Sequence, residues 1–238
     1  MTTESERLRS DAQLALPQLS LAALFITALI TAQVTASKVV AIGSPVSLPI
    51  TGDVITVPAA VFAYAITFFA SDCYTELYGK RAAQYLINVA FTMSFVLLGL
   101  LWLAIAAPIF EFSPVAQEPF AKTLGASTGV VVGSLFAYLV SQNWDVLIFH
   151  RLRTTTDGDS LWLRNIASTA TSQLVDTIIF ITIAFLLFQG QSPPEVLGLI
   201  IGQYTFKLLL VGLDTPFVYL VVRFVRQLDS KQTNSFGN

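Results

Sequence analysis

The chain reads as an all-α membrane protein, a bundle of six transmembrane helices, and three observations lead there. Of its 238 residues 54% are hydrophobic and only 12% are charged. A soluble domain carries about 25% charged residues, so this composition cannot cover a surface facing water. Six stretches have the roughly 17–25 mainly apolar residues that a membrane crossing needs: 18–40, 54–72, 83–107, 126–149, 165–188 and 196–222. Six crossings then place ten basic residues on one side: Arg7, Arg9, Lys80, Arg81, Arg151, Arg153, Arg164, Arg223, Arg226 and Lys231. Lys122 alone falls on the other, while Lys38 and Lys207 lie within spans. By the positive-inside rule both termini are cytoplasmic. One six-helix transmembrane domain, 18–227, is expected between cytoplasmic tails 1–17 and 228–238.

The first span opens on an apolar run from Leu19 that is longer than the ~7–15 residues of a signal-peptide core, so Val34-Thr35-Ala36 is read as helix rather than as a cleavage site. With no other address in the sequence, the cytoplasmic membrane of a prokaryote-like cell is the expected home. Ala28, Ala32 and Ala36 form a stripe of small residues, suited to close helix packing. Lys38 sits near the outer end of this span, where its long stem can snorkel. The connection 41–53 has Gly43, Pro45, Pro49 and Gly52, which break helices, and its short apolar alternation predicts a hairpin.

Asp72 and Glu76 end the second span on one helical face. Negative charge there opposes the helix dipole. Lys80, four residues on, gives Glu76 a structural partner, but the residue four beyond Asp72 is another acid. The fourth span carries Gly125, Gly129, Gly133, Ala137 and Ser141, a stripe read first as packing and more sharply as a sliding surface. Asn143 and Asp145 lie toward its inner end, where a solvated cap explains them as well as a site does.

Asp176 is near the midpoint of the fifth span, with Gln173 one turn before it; Lys207 is near the midpoint of the sixth, with Gln203 one turn before it. A charge at that depth costs about 2.5–3.5 kcal/mol to insert, so each should face a partner or a polar cavity. Antiparallel neighbours bring the two levels together, either as a structural ion pair or as part of a substrate cavity.

The near-neutral net charge of −2 gives no basic field, so nucleic acid is not an expected partner. One cysteine, Cys73, excludes an internal disulfide, and one histidine, His150, removes histidine-cluster metal sites. No GxSxG, HExxH, CxxC, Walker A or dinucleotide pattern occurs, so neither an enzyme nor a cofactor is expected. A small-solute carrier is what remains.

The run Asp72-Cys73-Tyr74-Thr75-Glu76-Leu77-Tyr78-Gly79-Lys80 resembles the signature of the queuosine precursor transporter family, also called the vitamin uptake transporter family. Asp145-Val146 leading into Phe149-His150-Arg151-Leu152-Arg153 looks like its second block. Ser168-Thr169, Ser172-Gln173 and Asp176-Thr177 are similar to the third, and Tyr204, Phe206, Lys207 and Asp214-Thr215-Pro216 to the last. The blocks recur in order over 38–220. Many members of that family have an asparagine in the first helix shortly before the lysine matching Lys38; here the polar residues nearby are Gln33, Thr35 and Ser37.

The resemblance implies a carrier importing 7-deazaguanine bases, such as 7-cyano-7-deazaguanine, that are precursors of queuosine or archaeosine in tRNA. It also implies a fold similar to the vitamin-binding subunits of energy-coupling-factor transporters. The alternative is such a subunit itself, docked through the alanine stripe on a coupling protein with a separate ATPase; a second copy of the chain is the other partner considered. A deazaguanine offers adjacent ring and exocyclic N–H donors to a carboxylate, a carbonyl to an amide or ammonium, and a flat face to an aromatic ring. The candidate binding residues are therefore Asp72, Glu76, Asn143, Asp145, Gln173, Asp176, Lys207 and Lys38, with Tyr64, Phe68 and Tyr204 as stacking residues.

Overall fold

A computed structural model describes residues 4–48, 52–155 and 161–235. Among the described residues there are seven helices and one hairpin: α1 (Glu4–Thr35), β1 (Val39–Leu48), β2 (Gly52–Pro58), α2 (Val61–Tyr78), α3 (Lys80–Ala106), α4 (Gln117–Gly125), α5 (Ser127–Thr155), α6 (Leu161–Ile181) continuing into a π-helical turn Thr182–Leu187, and α7 (Pro193–Ser235). Among the described residues, four stretches are long and apolar enough to cross a membrane: Leu16–Thr35, Lys80–Ala106, Gln117–Leu152 and Ile166–Leu187. On α3, Phe95, Leu100, Trp102 and Leu103 are all exposed, as a helix facing hydrocarbon requires and a helix facing water does not.

Several boundaries differ from the sequence expectation. Helix α1 begins at Glu4, within the expected tail, and ends at Thr35 rather than at residue 40. The second helix starts at Val61, not 54, because 54–58 belong to a strand. Val39–Leu48 and Gly52–Pro58 form the hairpin, antiparallel, with Val40 opposite Val57 and Ile42 opposite Ile55. α4 was not expected at all.

The chain divides into two compact units. Unit 1 comprises residues 1–32, 62–94 and 208–238. Its core repeats at helical spacing: Leu21, Phe25 and Leu29 of α1 pack with Ala70, Cys73 and Tyr74 of α2 and Ala83, Leu86 and Ala90 of α3. Gln18 Nε2 donates to the Tyr74 hydroxyl at 3.0 Å, giving the buried phenol a polar partner. A single residue, Gly79, joins α2 to α3. Its φ of 84° is the left-handed conformation that a side chain resists, and its N–H closes α2 on the Thr75 carbonyl.

Unit 2 comprises residues 33–61 and 95–207. Here α5 and α6 run antiparallel in close contact, and the small-residue stripe is the seam. A Cβ added at Gly129 would come within 2.5 Å of Phe188 Cβ, and one at Gly133 within 3.1 Å of the Phe180 carbonyl. The stripe therefore packs helices. Farther along the seam, Ser141 meets Asp176 and Asp145 meets Ser172, keeping the same step of four residues on both helices. The hairpin fixes the first half of α7: Phe206 packs on Ile55, Val57 and Val61, and a Cβ at Gly202 would collide with the Thr56 carbonyl. Gln203 and Lys207, about 100° around the helix from those contacts, are thereby turned to another face.

At its N-terminus α7 carries the glutamate half of a capping box. The N–H and hydroxyl of Ser192 donate to Glu195 Oε2 at 2.9 and 2.7 Å. The hydroxyl and then the backbone bond hold the Glu195 carboxyl below its ordinary pKa. This glutamate lies one residue outside the sixth expected span.

Candidate functional site

Polar atoms are concentrated inside unit 2, where apolar packing leaves them little water. Lys207 Nζ donates to Asp176 Oδ2 at 2.6 Å, with side chains 8% and 25% exposed. Ser141 Oγ lies 3.5 Å from the other oxygen of Asp176, at the outer limit of a hydrogen bond. Asp145 accepts from Ser172 Oγ at 3.3 Å. The Tyr204 hydroxyl donates to the Ala170 carbonyl at 3.2 Å, so this ring is tethered along α6. Gln33, Gln203, Ser168 and Thr177 are buried as well. The Thr177 hydroxyl is satisfied by the Gln173 carbonyl a turn earlier. The Asp176–Lys207 pair can present a carboxylate and an ammonium to a polar solute.

The acids of unit 1 lie in a different setting. Tyr64, Phe68, Asp72 and Glu76 recur every fourth residue along α2, and the two rings are 6.3 Å apart. Asp72, Thr75 and Glu76 line a groove of about 290 Å³ with Val218, Tyr219 and Val222 of α7. Arg226 binds Glu76 twice, its Nη2 donating to Oε1 at 2.8 Å and to the backbone carbonyl at 3.3 Å.

Set against the sequence expectations, the structure brings Asp176 and Lys207 together and puts Asp145 in contact with α6. Asn143 and Asp145 lie mid-helix rather than near an end, because α5 runs on to Thr155. The exposed Asn143 amide bonds the Leu139 carbonyl of its own helix. Gln173 is half-buried. Lys38 lies beyond α1, exposed in the turn entering the hairpin, where its carbonyl accepts from Ala59 N–H. Asp72 is inside α2, not at its end, and the observed partner of Glu76 is Arg226 rather than Lys80. Ser141, Ser172 and Arg226, named in the sequence only within a stripe, a motif and a charge count, were not expected as partners of acids. The two serines were legible in principle, since they fall on the faces marked by the stripe and by Asp176; Arg226, 150 residues from Glu76, was not.

Long apolar helices, with a largely buried lysine–aspartate pair between α6 and α7, mark a multi-pass membrane protein. Residues 58–221 match the family described as "Putative vitamin uptake transporter". A protein of Bacillus subtilis (strain 168) described as "Probable queuosine precursor transporter" is 34% identical over 168 residues, covering 68% of this chain and 70% of that relative. No solved structure matches. The chain belongs to the vitamin uptake transporter family and is a membrane transporter.

Proposed function

We propose that this protein is a secondary carrier that imports 7-deazaguanine bases, precursors of queuosine-type tRNA modifications, across the cytoplasmic membrane. The observation that carries the reading is the buried Asp176–Lys207 pair. A charged pair so deep in an apolar bundle is costly, and a solute with both donors and acceptors can exchange partners with each half of it. The base's N–H donors would engage the Asp176 carboxylate and its carbonyl the released Lys207, with Gln173 on the same helix as a further amide and Tyr204 as the stacking ring. Asp72 is proposed as a separate acidic contact, in the groove of unit 1. The name of the Bacillus subtilis relative supports the cargo.

The test is queuosine content of tRNA in a cell that requires external precursor and expresses only this carrier. Queuosine should appear on supplying 7-cyano-7-deazaguanine at nanomolar concentration; tRNA that stays unmodified would refute the cargo. The rival, a subunit docked on a coupling protein through its alanine stripe, finds no support in the helix face it needs. Ala28, Ala32 and Ala36 are 6%, 1% and 0% exposed, already used within the chain.

The six long helices α1, α2, α3, α5, α6 and α7 are proposed as six crossings with both termini cytoplasmic. A reporter active only outside the membrane should be silent when fused after Asn238 and active when fused within 111–122. The reverse pattern would refute this topology.

A further inference from the structure

Gln33 is 1% exposed, and neither oxygen nor nitrogen of its amide has a hydrogen-bond partner among the described residues. Gln203 is 6% exposed, and its Oε1 is likewise unpartnered. Buried amides are almost always satisfied, because stripping one of water without replacing its bonds costs free energy. The unpartnered hydroxyls of Ser127 and Ser134 are a lesser matter, since a helical serine can rotate onto a carbonyl one turn back. A carbonyl one turn back, as at Asn143, can satisfy an amide's nitrogen but not its oxygen. Both glutamines belong to unit 2. Gln203 stands one turn before Lys207 on the face of α7 that the hairpin leaves free.

We infer that Gln33, together with Gln203, is a substrate-reading amide of this carrier, held unpaired for a heterocycle edge that presents a donor beside an acceptor. This rests on the proposed deazaguanine cargo and adds residues to it. A primary amide carries an acceptor oxygen and donor nitrogen side by side, and matches a lactam or a ring-nitrogen edge in a bidentate grip. An apolar solute would leave both atoms unsatisfied, so the amide selects as well as binds. Placing it in α1 gives the first helix a direct part in recognition.

Uptake kinetics of tritiated 7-cyano-7-deazaguanine in proteoliposomes, with melting temperatures in detergent, test this on the full chain. Gln33→Leu should raise KM at least tenfold with little change in the maximal rate, while its melting temperature is equal or higher because an unpaired amide has gone. Gln203→Leu should raise KM by a smaller factor. KM within twofold of wild type for Gln33→Leu would overturn the inference, as would a fall of the maximal rate alone. If the leucine variant does not fold, Gln33→Asn, which withdraws the same amide by one methylene, decides instead: a raised KM supports the inference and an unchanged one overturns it. A wild-type protein that does not take up the base refutes the cargo and this inference together, whereas wild-type uptake with indifferent Gln33 variants refutes the inference alone.

Discussion

The Lys207–Asp176 and Arg226–Glu76 pairs have similar lengths, 2.6 and 2.8 Å, but the side chains of the first are 8% and 25% exposed and those of the second 60% and 56%. Each joins a cation on α7 to an acid on another helix. Their energetics differ because their surroundings differ. In water an ion pair gains little over two hydrated ions, and such pairs are worth about 0–1 kcal/mol. Largely buried, each partner depends on the other, since losing one leaves a charge with little solvent to take it. Burial, rather than the residue types, decides how strongly each charge depends on its partner.

The largest effect is expected from breaking the buried pair. Asp176→Asn or Lys207→Gln alone should lower detergent-extracted stability by about 3–5 kcal/mol, and the double variant should recover much of that. Uptake should remain lost in all three, because a neutral pair cannot exchange partners with the base. Additive losses across this double-mutant cycle would show the two residues uncoupled. Restored uptake in the double variant would show the pair to be scaffolding.

A second test sharpens the comparison within unit 1, where Asp72 and Glu76 share a helix face and a groove. Glu76 is engaged by Arg226, whereas Asp72 is the acid proposed above as a substrate contact. Asp72→Asn should cut uptake of a nanomolar tracer to background with membrane abundance unchanged. Near-normal uptake would remove Asp72 from the contacts, and collapse of abundance would make it structural.

The smallest effect is expected at the exposed pair. Glu76→Gln or Arg226→Gln should cost at most about 1 kcal/mol, with the loss shrinking further in high salt. Thermal unfolding at two ionic strengths measures this. A loss as large as that of the buried pair would mean that exposure is not what separates them.

Where sequence reasoning succeeded, a local rule was enough. Apolar run lengths gave helices close to their observed positions at 83–107, 126–149 and 165–188, against α3, α5 and α6 with its π turn. Depth within two such runs singled out Asp176 and Lys207. The rules failed where partners come from far along the chain. Val39, Val40, Val54, Ile55 and Val57 look like ends of apolar helices by composition, yet they are strands, because each finds its hydrogen bonds in the other. Lys80 is four residues beyond Glu76, but the left-handed turn at Gly79 starts a new helix there, so the i+4 geometry does not exist.

From its sequence alone, this protein was determined to be a multi-pass membrane transporter of a recognisable family, because hydropathy and motif order are written along the chain. Tertiary structure decided which polar groups are satisfied. Ser141 and Ser172 became partners of acids through the α5–α6 register, the alanine stripe was consumed by internal burial, and Gln33 was left buried without a bond. Burial and hydrogen bonding depend on what lies across a contact, and a single helix face does not carry that information. That is why an amide read from sequence as one polar residue among several emerges from the fold as a candidate reader of the cargo.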